Sequence, residues 1–72
     1  METSHKWTTA ASSPTLDGIR GCIAKFWYTT LERIRLSPID PSDAKAYTID
    51  GRNPDKFRVV VKGGRYRFEI LA

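Results

Sequence analysis

Hydrophobic and polar positions alternate most clearly from Phe57 to Leu71, FRVVVKGGRYRFEIL. Gly63-Gly64 divides this stretch into two β-favouring runs, and paired glycines can take the φ > 0 conformations of a two-residue hairpin turn. With the glycines as the loop, Lys62 faces Arg65, Val61 faces Tyr66, Val59 faces Phe68 and Phe57 faces Ile70. Side chains alternate across a strand, so these last six apolar residues share one face. The other face carries Arg58 opposite Glu69, Val60 opposite Arg67, and Lys62 beside Arg65. A slip by one residue would mix the two sets, so the pattern selects its own register.

A different period precedes the hairpin. Ile19, Cys22, Ile23, Phe26, Trp27, Thr30, Leu31 and Ile34 recur at helical spacing and predict one apolar stripe over roughly 15–34. Ser13 as N-cap, Pro14 at the first helical position and Asp17 in the first turn mark its start. Arg20, Lys25, Thr29, Glu32 and Arg33 fall on the polar side. Gly18 and Gly21 weaken the first turns, and Trp-Tyr-Thr-Thr favours strand. A competing reading therefore ends the helix near Tyr28 and begins a strand at Leu31, where Ile34 and Leu36 alternate with Arg33 and Arg35. The run SPIDPSD, Ser37–Asp43, is a turn-rich connection, with Asp40 and Asp43 as turn formers. Lys45–Asp50 predicts a short strand with Tyr47 and Ile49 on one face, followed by a loop at Gly51–Asp55.

These elements define an α+β class: one amphipathic helix packed on a three-stranded antiparallel sheet, in the order helix-strand-strand-strand. Residues 1–12 are rich in Thr, Ser and Ala without sustained periodicity and predict a flexible N-terminal tail. Residues 13–72 form one small domain. At 72 residues, a single core is near the lower limit for independent stability, and a homodimer through an open sheet edge is compatible with it. One cysteine, Cys22, excludes an intramolecular disulfide and favours a reducing, intracellular and cytoplasmic setting. No run is apolar enough to span a bilayer, and the N-terminus lacks the apolar core of a secretory signal, so no membrane partner is expected.

Charge is unevenly placed. Residues 52–72 hold Arg52, Lys56, Arg58, Lys62, Arg65 and Arg67 against Asp55 and Glu69, so six cations less two acids leave +4, the net charge of the whole chain. Such asymmetry points to an anionic partner. Catalysis finds little support: His5 and Cys22 are isolated, Cys22 lies on the apolar stripe, and no cofactor or metal motif is present. The leading expectation is a non-enzymatic protein contacting nucleic acid through Arg52, Lys56, Arg58, Lys62, Arg65 and Arg67, on a two-stranded ribbon narrow enough for a major groove or laid along a phosphate backbone. The alternative, from another class, is an inhibitor or adaptor docking on a larger protein. Trp7, Trp27, Tyr28 and Tyr47 would then be anchors beyond the needs of one small core.

Overall fold

A computed structural model of the chain describes residues 6–71. The elements are β1 (Trp7–Ser13), α1 (Leu16–Phe26), a single 3-10 turn (Leu31–Arg33), β2 (Leu36–Pro38), β3 (Ala46–Ile49), β4 (Phe57–Lys62) and β5 (Arg65–Leu71). The strands form one antiparallel sheet in the order β1-β5-β4-β3-β2. The chain leaves β1 at one edge and enters β2 at the other, so α1 carries it across one face of the sheet. The α+β class stands, but the sheet has five strands rather than three.

The hairpin adopts the register that its pattern selects. Lys62 pairs with Arg65, Val59 with Phe68, Arg58 with Glu69 and Phe57 with Ile70. Gly63 and Gly64 have φ of 59° and 75°, the two left-handed residues that a type I′ turn demands. Val59 and Phe68 are fully buried beneath α1, where they meet Ile19, Ile23, Ala24, Ile34 and Ile49. Phe26 and Trp27 pack edge-on against Phe68, with centroids at 5.3 and 5.5 Å, and Trp27 packs on Phe57 at 5.1 Å. Each such aromatic pair adds about 0.5–1.5 kcal/mol beyond the area it buries.

Two sequence expectations are corrected at the N-terminal half. From Trp7 onward the expected tail is strand β1, which lies beside β5 from Trp7↔Leu71 to Ser13↔Tyr66. Its pattern is hidden because most of its side chains face water and the pairing shifts between Thr9 and Ala11. That bulge moves Ala11 and Ser13 to the helix side while Trp7, Thr9 and Ser12 share the other face. Residues 1–5 of the expected tail, including His5, lie outside the described residues.

The helix is also shorter than its stripe. Thr15, not Ser13, is the N-cap, its hydroxyl accepting the Gly18 N–H at 3.0 Å. Ser13 instead packs its hydroxyl against Gly18, where a Cβ would collide with it, so this glycine is needed for close approach. At the other end the Thr29 N–H donates to the Ala24 carbonyl at 2.8 Å and the Tyr28 N–H to that of Lys25 at 3.2 Å. This is a Schellman closure, with Tyr28 in the left-handed position that glycine usually fills, at φ 53°. Ile34 still reaches the core, but from extended chain beyond the 3-10 turn. Residues 31–36 are thus neither continued helix nor strand until Leu36 opens β2.

Arg20 holds that return segment. Its Nε donates to the Ile34 carbonyl at 2.9 Å, Nη2 to that of Leu31 at 3.1 Å, and Nη1 to Asp17 at 3.1 Å. The sequence puts Arg20 on the polar stripe, and only the fold brings backbone acceptors to it. Asp40 behaves as the turn former its neighbours imply. It accepts the Ser42 hydroxyl at 2.8 Å and the Ser42 N–H at 3.0 Å, and these bonds hold its carboxyl below the usual carboxylate range.

Candidate nucleic-acid interface

α1 covers one side of the sheet, and among the described residues no layer covers the other. Strand alternation puts Trp7, Thr9 and Ser12 of β1, Arg65, Arg67, Glu69 and Leu71 of β5, and Arg58, Val60 and Lys62 of β4 on that uncovered side. Four of the six cations singled out in the sequence are therefore on one surface. Lys62 and Arg65 are at its hairpin end, with Arg67 one step further in, opposite Val60 and Ser12.

The four are not equivalent. Arg58 donates from Nε and Nη2 to one oxygen of Glu69, at 2.9 and 2.8 Å. Glu69 is nearly buried although it points to the side without a helix, because Arg58 and its neighbours cover it. The Arg58 guanidinium also lies 3.9 Å from the centroid of the Trp7 ring, a cation–π stack reaching across β5. Arg65 donates from Nε to the Ser12 hydroxyl at 2.9 Å, which orients it without neutralising it. Lys62, Arg65 and Arg67 make no ion pair among the described residues. The uncompensated charge is this trio, gathered toward the turn.

Arg52 departs from the expected group. Its guanidinium sits 4.0 Å from the Trp27 ring, and Trp27 belongs to the helix side of the sheet. Lys56 is exposed just ahead of β4, its carbonyl accepting the Leu71 N–H at 2.9 Å. The hairpin itself is not a free two-stranded ribbon: β1 flanks β5 and β3 flanks β4, so both of its strands are interior.

The aromatic candidates separate as well. Trp27 is a core residue by its contacts, and Tyr47 is half-buried near Tyr66, at 6.3 Å between rings. Tyr28 is 98% exposed. Trp7, a docking anchor in the sequence pattern, lies on the face that carries the cations. Its helical-side counterparts Phe57, Tyr66 and Phe68 point the other way. The signal for this in the sequence is faint, since it depends on the parity of β1 after its bulge.

Among the described residues no three His, Cys, Asp or Glu side chains gather as a metal site, and no helix is long and apolar enough to cross a membrane. The fold and this surface define a small α+β module with one helical layer and one bare, cationic sheet face. Set against family models, curated proteins and solved structures, the chain matches none.

Proposed function

We propose that this protein is a non-enzymatic nucleic-acid-binding module, and that the uncovered sheet face is its contact surface. One observation carries the reading: Lys62, Arg65 and Arg67 bring three uncompensated charges together on the side that no helix covers. Arginine suits this role because its planar fork meets two phosphate oxygens at once. Arg58, committed to Glu69 and Trp7, shapes the surface more than it binds.

Fluorescence anisotropy with a labelled oligonucleotide tests this. Three phosphates neutralised on a single strand give a log–log salt slope near −2, or about a 20-fold loss of affinity between roughly 50 and 200 mM salt. Joint replacement Lys62→Glu, Arg65→Glu and Arg67→Glu is expected to abolish binding while the melting transition persists. Binding that ignores both salt and this replacement would refute the reading.

A second reading, docking on a larger protein, is favoured by Tyr28. Its left-handed backbone disfavours any residue with a Cβ, and its ring recovers no burial within the chain. Tyrosine is a common interface anchor. Tyr28→Gly removes about 1–2 kcal/mol of backbone strain at an entropic cost of about 0.5–1 kcal/mol. The net gain of up to about 1.5 kcal/mol is thus expected to raise the melting temperature by up to about 12 °C. A fall on thermal denaturation would mean that the ring stabilises the fold itself, and the docking argument would lose its basis.

A further inference from the structure

We infer that the sheet face takes unpaired bases rather than duplex, with Trp7 as the stacking platform; this rests on the nucleic-acid reading above and specifies its ligand. The first support is width. Five strands spaced by about 4.8 Å make a surface about 19 Å across, whereas a major groove is about 12 Å wide. The basic strands β4 and β5 are interior to that surface, so they cannot enter a groove as a ribbon. A broad sheet instead offers a floor over which a flexible strand can lie, and base stacking on aromatic rings is how such floors hold single strands.

The second support is the ladder Trp7–Arg58–Glu69. Trp7 is part exposed, and no other aromatic ring packs on it among the described residues. The Arg58 guanidinium lies over its ring, and Glu69 fixes Arg58 through two nitrogens. The indole is therefore held in place before any ligand arrives, which lowers the ordering cost of a stack. Glu69 also offsets the charge of Arg58, so this end of the face favours a base over a phosphate.

The third support is spacing. Four residue steps along β4 separate Arg58 from Lys62, about 14 Å, with Arg67 between them on the neighbouring strand. A single strand with one base on Trp7 would thus run its backbone over Arg67 toward Arg65 and Lys62. A duplex could touch the cations but would have no free base for the indole.

Titration of the full chain with an oligo-dT 12-mer and with the oligo-dT·oligo-dA duplex of the same length tests this, reading both anisotropy and tryptophan emission. The single strand is expected to bind at least about tenfold more tightly and to quench part of the emission, with Trp27 on the covered side as the unquenched remainder. Trp7→Ala is expected to weaken single-strand binding about 5- to 150-fold, the cost of losing one base stack, and Trp7→Phe to retain most of it. Equal affinity for both forms, with no quenching of the unmodified protein, would overturn the stacking proposal and leave phosphate binding standing. No binding of either form at low salt would remove both.

Discussion

Phe68→Ala is expected to remove about half of this protein's folding stability. Phe68 is fully buried in the interior strand β5, with Phe26, Trp27 and Phe57 around its ring and Val59 as its cross-strand partner. Removing a buried phenyl ring costs about 3–5 kcal/mol, part lost transfer energy and part cavity. A chain of this length has a total stability of only about 4–11 kcal/mol. The midpoint of thermal unfolding should fall by at least about 12 °C. Phe26→Ala, which removes a ring that is 46% exposed and touches the same cluster, should cost clearly less. Circular dichroism melts of the two variants check this, and equal losses would mean that the core is not centred on Phe68.

Deleting residues 1–12 should be nearly as damaging. A disordered tail could be removed at no cost, but five pairings with β5, from Trp7↔Leu71 to Ser12↔Arg67, would go with this one. At about 0.2–1 kcal/mol per cross-strand pair, the loss is about 1–5 kcal/mol before Trp7 and Ala11 are considered. Glu69 would lose part of its cover, and β5 would become an open edge of seven residues able to pair with another chain. The truncated chain is expected to melt at lower temperature and to self-associate in sedimentation velocity. An unchanged melting curve would show that β1 contributes nothing to the folded state.

The contrast between these two sites shows which features can be read from residues alone. Phe68 is identifiable because its neighbours in β4 and β5 alternate cleanly and two glycines set the loop between them. Every element of that inference is local, and the observed register agrees with it pair by pair. Trp7–Ser13 offers no such pattern. Only Ser13 among its side chains is buried, its bulge breaks the period of two, and its partner is the far end of the chain. The stop of α1 at Phe26 is legible only in the competing reading that ends the helix near Tyr28. The apolar stripe continues to Ile34, but the chain must turn back to reach the far edge of the sheet, and Tyr28 takes the left-handed turn despite its Cβ.

The candidate site divides along the same line. That Arg58, Lys62, Arg65 and Arg67 share a face follows from strand alternation, so the sequence by itself determined the hairpin, its register and the cationic side of it. It also determined that the opposite side must be covered, because six apolar residues there require a partner layer. Only the tertiary structure decided how wide that sheet is, that Trp7 joins the cations, and that Arg52 leaves them for Trp27. Periodicity constrains neighbours along the chain and across a tight turn. Contacts between β1, β5 and β4, or between the β3–β4 loop and the helix end, depend on which elements pack together, and that is settled by the balance of burial over the whole domain.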